Sequence, residues 1–154
     1  MIRSLEHVGI SVSSLERSLG FYRDLLGMEV IDNGEFSGDL YERILGLEGA
    51  RGKVALLRSG GLQIELFEFA HPVSVVRPSW RPVAELGISH FCIEVHDLDG
   101  LYRRLSAAGT VFHSTPLEFS GVGKATYGRD PDGNVFELFE RASPTGPRAI
   151  PEST

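Results

Sequence analysis

The chain spells one pattern twice. His7 opens HVGISV and His90 opens HFCIEV, so that His7, Ile10, Val12 and Leu15 recur as His90, Ile93, Val95 and Leu98 at a single offset of 83 residues. Each half also ends in ELFE. Gly61, Glu65, Leu66, Phe67 and Glu68 recur as Gly133, Glu137, Leu138, Phe139 and Glu140 at an offset of 72 residues, so the second half is shorter only in its middle. A repeated unit folds as two copies of one supersecondary structure. One that twice supplies an imidazole and a carboxylate can surround a single metal ion with four donors.

Local patterning gives the content of each copy. In the first, Val8, Ile10 and Val12 alternate with His7, Gly9 and Ser11, the period of a half-buried strand. Ser13 followed by Glu16 fits a capping box, and Leu15, Leu19, Tyr22 and Leu26 recur at helical spacing until Gly27 stops the helix. Strands are expected over 28–31, 54–58 and 62–69, with Gly60-Gly61 as a hairpin turn. The second copy repeats this with a strand over 89–95, Asp97 as helix cap, and Leu98, Leu101, Leu105 and Ala108 as a buried stripe ending at Gly109. Short strands near Val111 and over 125–128 follow. Asp130-Pro131-Asp132-Gly133 is a turn, because Pro presets one turn angle and Gly permits the left-handed one, and it leads into a last strand over 135–140.

The expected class is α+β: two tandem βαβββ modules, residues 5–69 and 88–140, joined by a Pro-bearing linker over 70–87 within one domain spanning 1–140. Residues 32–52 read as an insertion with a short helix near 40–45. Residues 141–154, with Pro144, Pro147 and Pro151, read as a flexible tail.

Strand alternation also says where the repeated polar residues point. Leu62, Ile64 and Leu66 form one face of their strand and Gln63, Glu65 and Phe67 the other; Phe136 and Leu138 likewise oppose Val135, Glu137 and Phe139. With helices on the apolar faces, His7, Glu65, His90 and Glu137 project from the uncovered side. Two carboxylates brought together repel, whereas a divalent cation neutralises both and accepts both imidazoles. One His or Glu on a strand is usually just solvated. Recurrence at non-core positions in both copies is what sets these four apart, since preserving the fold alone gives no reason for it.

Composition excludes several alternatives. At 154 residues and 42% hydrophobic the chain can build a core without staples. A net charge of −6 with no Lys/Arg cluster excludes a nucleic-acid or anionic-membrane surface and leaves a small molecule as the partner. Cys92 is the only cysteine, so an intrachain disulfide and a Cys-rich zinc site are both excluded. No leader pattern or membrane-length apolar run is seen, which gives the expectation of a soluble, cytoplasmic protein.

HVGISVSSLERSLGFYRDLLGMEV, GISHFCIEVHDL and GRDPDGNVFELFE together resemble the vicinal oxygen chelate superfamily of glyoxalase I, methylmalonyl-CoA epimerase, bleomycin-resistance proteins and extradiol dioxygenases. The resemblance runs from His7 to Glu140. It implies paired modules forming an open, incomplete barrel with helices outside and one divalent metal within. His7, Glu65, His90 and Glu137 match the family's ligand positions, and this ligand set is similar to that of the non-zinc bacterial glyoxalases I and the epimerases. Pairing of modules within one chain or between two implies a homodimer.

Four ligands on a six-coordinate ion leave two adjacent positions, which suits a substrate chelating through two neighbouring oxygens. Such an ion, nickel, cobalt, manganese, iron or zinc, acts as a Lewis acid while Glu137 or Glu65 takes a proton from the carbon beside the carbonyl. That is glyoxalase-like lyase, isomerase or epimerase chemistry. A ring-cleaving dioxygenase with non-haem iron is the second reading, and Glu65 counts against it by filling room that oxygen needs. A metal-free resistance protein that sequesters a small molecule is the third; such proteins typically lack the ligand set. Gln63, Phe67, Cys92, Tyr127 and Phe139 are expected to line the substrate cavity, with Tyr127 able to hydrogen-bond substrate. Arg51, Lys53, Arg77, Arg81 and Lys124 are the cations available to an acyl-CoA. His71, His96 and His113 read as surface histidines, and Trp80 as a cap on the cavity or a subunit contact.

Overall fold

In the computed structural model, which describes residues 1–75 and 81–143, the first copy of the repeat folds around a parallel pair of strands. β1 (Val8–Ser11) lies beside β4 (Leu62–His71) with Val8 opposite Ile64 and Gly9 opposite Glu65, and the pairing runs on as Val12 N–H donates to Phe67 O at 2.8 Å. β3 (Arg51–Ser59) runs antiparallel to β4 across the Gly60-Gly61 turn, and β2 (Glu29–Ser37) forms the other edge, giving the order β1-β4-β3-β2. Helix α1 (Leu15–Leu19) packs on β3 and β4. Its underside and the sheet bury Leu15, Phe21, Tyr22, Ala55, Leu57, Ile64 and Leu66.

The second copy repeats the plan. β5 (Phe91–Glu94) is parallel to β9 (Val135–Arg141) with Cys92 opposite Glu137, and Val95 N–H donates to Phe139 O at 2.8 Å, the counterpart of the Val12 bond. β8 (Gly123–Arg129) is antiparallel to β9 and is flanked by β6 (Val111–Phe112) and by β7 (Leu117–Phe119). Helix α3 (Leu98–Ala107) packs on β9 through Leu98 and Leu105, both fully buried. The chain is α+β, each sheet is open, and it divides into two compact units, Met1–Arg77 and Pro78–Thr154. Among the described residues no helix is long and apolar enough to cross a membrane.

The second Glu of each ELFE closes its unit. Glu68 Oε2 accepts from Leu15 N at 2.6 Å, and Glu140 accepts from Asp97 N at 3.0 Å and Leu98 N at 3.1 Å. Each thus satisfies helix N-terminal donors that have no intrahelical partner. This corrects the expected capping box: the N-cap is Ser14, whose hydroxyl takes Arg17 N, while Ser13 accepts from the Arg17 guanidinium and the strand supplies the remaining acceptor. Asp97 does cap α3, accepting from Gly100 N.

Other expectations are corrected in detail. After α1 the chain continues as a π-helical segment, Gly20–Leu25, which buries the neighbours Phe21 and Tyr22 where a plain helix would bury every third or fourth residue. The strand expected over 28–31 runs on to Ser37, so the supposed insertion begins as sheet and only then forms α2 (Asp39–Leu45). Ala108 is exposed, because α3 ends at Ala107. β7 had no sequence expectation. Most of the tail, residues 144–154, lies outside the described residues, as do Arg77 and Trp80.

The close strand pairing leaves two glycines no room for a side chain. A Cβ at Gly52 would sit 2.1 Å from Glu68 O, and one at Gly123 would sit 2.1 Å from Glu140 O. These are equivalent sites beside the two capping glutamates. Gly52→Ala and Gly123→Ala each push backbone apart and are expected to lower stability by about 1–3 kcal/mol in urea unfolding. Glu140→Ala leaves two helix N–H groups unmet and is expected to cost about 1–2 kcal/mol in the same measurement.

Candidate metal centre

The parallel pairing places one half of the candidate donor set in each unit. In the first, Gly9 stands beside Glu65 and carries no side chain, so His7, two residues back on the same side, reaches across: its Nε2 lies 3.3 Å from Glu65 Oε2. In the second, Cys92 takes the place of Gly9, and His90 Nε2 lies 3.2 Å from Glu137 Oε2. Sequence reasoning singled out these four residues, and the structure brings them together as two His–Glu pairs. Among the described residues, no three His, Cys, Asp or Glu side chains form a single cluster of the kind that holds a metal.

The two pairs differ in their surroundings. The side chains of His7 and Glu65 are 41% and 27% exposed, those of His90 and Glu137 27% and 3%. A buried carboxylate is costly unless a cation or donors compensate it, so Glu137 carries the stronger demand for a positive partner. Each imidazole is also held by the residue before it. His7 Nδ1 donates to Glu6 Oε2, and His90 Nδ1 lies 2.9 Å from Ser89 Oγ. With Nδ1 engaged elsewhere, Nε2 is the ring atom turned to the glutamate in both units, as metal-binding histidines require of their second nitrogen. The hydrogen bond from His7, reinforced by one from Gln63, holds the Glu6 carboxyl below its usual range. In each unit an imidazole nitrogen and a carboxylate oxygen are donor types that suit a divalent cation.

Tyr127 completes the second pair. Its hydroxyl lies 3.4 Å from His90 Nε2, its ring meets the imidazole edge to face at 4.8 Å, and the β8–β9 register sets it directly opposite Glu137. His113 is exposed, as expected, yet its ring stacks on that of Tyr127 at 6.1 Å, and its backbone N–H donates to Tyr127 O. Partial desolvation of that ring, with the Arg129 charge behind it, pulls His113 below the usual histidine range. His71 and His96 are exposed.

The other expected residues are placed as follows. Phe139 is buried, with the Arg141 guanidinium 5.8 Å above its ring, while Phe67 packs in an aromatic group with Phe36 and Phe69. The Cys92 thiol is half-buried beside Glu137. Gln63 donates to Glu6. Of the candidate cations, Lys124 pairs with Asp99 at 2.8 Å, each charge favouring the other, and Arg81 donates to Ile88 O. Arg51 donates to Gly49 O. Sequence reasoning missed Glu6, Ser89, Glu68 and Glu140 as contributors to these arrangements.

The chain is similar to known proteins in sequence and in fold. The sequence profile of the Glyoxalase/Bleomycin resistance protein/Dioxygenase superfamily matches residues 4–138. The YwkD protein of Bacillus subtilis is 30% identical over 143 residues, covering 92% of this chain and 99% of the relative. Metallothiol transferase FosB of Shouchella clausii is 26% identical, covering 90% and 80%. Catechol-2,3-dioxygenase of Bacillus subtilis, 28% identical, and lactoylglutathione lyase of Arabidopsis thaliana, 24% identical, also match; the chain covers 41% and 44% of their lengths, with 86% and 90% of its own residues in the match. A solved glyoxalase family protein from Bacillus cereus superposes with a TM-score of 0.86 at 23% identity, covering 93% of this chain and 97% of the other, a likeness of fold.

Proposed function

Because this chain belongs to the glyoxalase, bleomycin resistance protein and dioxygenase superfamily, the vicinal oxygen chelate group, we propose that it is a divalent-metal-dependent, glyoxalase-like enzyme that removes a proton next to a carbonyl. The observation that carries the proposal is the twofold His–Glu pairing, 3.3 Å for His7 with Glu65 and 3.2 Å for His90 with Glu137. His7, Glu65, His90 and Glu137 would hold the cation, and the protein would act as a homodimer. When bound, the cation supplies Lewis-acid polarisation to a small substrate that chelates through two neighbouring oxygens. The similarity to a metallothiol transferase and to a lactoylglutathione lyase supports such chemistry.

The protein's own side chains do the rest. Glu137, almost wholly shielded from water, is the base that receives the proton, and Glu65, on its more open pair, is the alternative carboxylate. Tyr127 donates its hydroxyl hydrogen to a substrate oxygen from its place beside His90.

The test is deuterium wash-in beside the carbonyl of 2-oxo aldehyde hemithioacetals and 2-methyl acyl thioesters, followed by NMR on protein stripped with chelator and reloaded with each of nickel, cobalt, manganese, iron and zinc. Exchange is expected only with metal and falls about 10²–10⁴-fold in Glu137→Gln. A metal-loaded protein that exchanges none of these and instead consumes oxygen with a catechol would be a ring-cleaving dioxygenase. One that binds no metal would be a sequestering protein.

A second measurement assigns the pairs to chains. If each cation takes its pairs from two chains, mixing His7→Ala protein with Glu137→Gln protein regenerates one intact site per heterodimer and recovers exchange. If one chain supplies both, the mixture stays as inactive as its components.

A further inference from the structure

The half-site of the first unit is held in place by residues that no ligand set includes. We propose that Glu6 and Gln63 are positioning residues for His7, fixing its ring and tautomer so that Nε2 is the donor offered to the metal. This rests on the metal-centre reading above.

The geometry is a chain of hydrogen bonds that begins and ends on one strand. Gln63, on β4, donates from Nε2 to Glu6 Oε1 at 2.9 Å and also reaches Glu6 O at 3.3 Å. Glu6 Oε2 accepts from His7 Nδ1, and His7 Nε2 faces Glu65, two residues beyond Gln63 on the same face of β4. One amide thus pins both the carboxylate and the backbone of Glu6. Without that clamp the Glu6 side chain, 64% exposed, would be free to turn into water.

The chemistry explains why a carboxylate is used. An ionised carboxylate can only accept, so it fixes a hydrogen on Nδ1 and leaves Nε2 of the neutral ring as a lone pair. That lone pair and the Glu65 oxygen are then two acceptors 3.3 Å apart, an arrangement that calls for a positive centre. In the second unit the corresponding partner is the Ser89 hydroxyl, which can donate or accept and so leaves the tautomer of His90 undecided. Gln63, expected to line the cavity, is committed to this clamp.

Titration of the full-length, metal-stripped protein with Co²⁺ against a chelating dye tests the proposal. His7→Ala and His90→Ala are expected to weaken binding at least 100-fold. Glu6→Gln is expected to weaken it about 10–100-fold, the usual effect of losing an outer-sphere partner. Gln63→Leu, which keeps every charge, is expected to weaken it about 3–10-fold on the same grounds. Glu6→Gln should also shift the visible Co²⁺ absorption bands, Glu6→Asp should restore most of the affinity, and both glutamate variants should melt like wild type without metal. Wild-type affinity and spectrum in Glu6→Gln and Gln63→Leu, with binding lost in the histidine variants, would overturn the positioning role and leave the metal centre standing. Equal loss of affinity and metal-free melting temperature would also overturn it, as a structural effect. Wild-type binding in both histidine variants would remove the metal centre and the proposal together.

Discussion

Parallel pairing between the first and last strands of each unit is the constraint on which the rest depends. A parallel ladder fixes which residues stand side by side, and a one-residue slip would turn every side chain to the opposite face. The observed register, Gly9 by Glu65 and Cys92 by Glu137, therefore does two things at once. It delivers the first Glu of ELFE to the face that carries the histidine. It also carries the strand on to where the second Glu meets the N-terminus of the helix that follows the first strand, at Leu15 in one unit and at Asp97 and Leu98 in the other. Helix, register and donor pair are coupled through one four-residue motif, so a shift that spoiled the pair would uncap the helix as well.

That coupling explains how much was legible in the sequence. Repetition at matched offsets picked out His7, Glu65, His90 and Glu137, and period-two alternation put each Glu on the face opposite Ile64 and Leu66 or Phe136 and Leu138, all of which are buried. The α+β plan, the Asp97 cap and the turn at Asp130 followed from the same local signals; Asp130 in fact accepts from both Asp132 N and Asn134 N. Tertiary context decided what local signals missed. Asp32, Asn33 and Gly34 are poor strand formers, yet pairing with Leu56, Ala55 and Val54 keeps β2 extended through them. Ser14 displaced Ser13 as cap because an acceptor for Leu15 came from β4, far away in sequence.

The partners of the histidines were hidden for a more instructive reason. Glu6 and Ser89 occupy the same place in the two copies, one residue before the histidine, but they are different residue types. A search for what recurs passes over them. A further correspondence was present but thin: Gly52, Lys53 and Arg58 recur as Gly123, Lys124 and Arg129 at an offset of 71 residues. Its meaning lies in the absence of a side chain where Gly52 and Gly123 meet the carbonyls of Glu68 and Glu140, a close approach set by tertiary strand pairing.

The two copies differ around the donors as well as in their middles. The donors themselves and their spacing, 3.3 Å and 3.2 Å, are alike, while one pair stands open beside a charged, amide-clamped carboxylate and the other is buried beside a hydroxyl, a phenol and a thiol. Burial excludes water and strengthens each electrostatic interaction within reach, so Glu137 calls for a positive partner more strongly than Glu65 does. His7, the more exposed imidazole, is held from outside its pair by Glu6 and through it by Gln63. Duplication therefore did more than double a binding motif. One copy holds the shielded pair, and the other holds an open pair whose imidazole is tied to Glu6 and through it to Gln63.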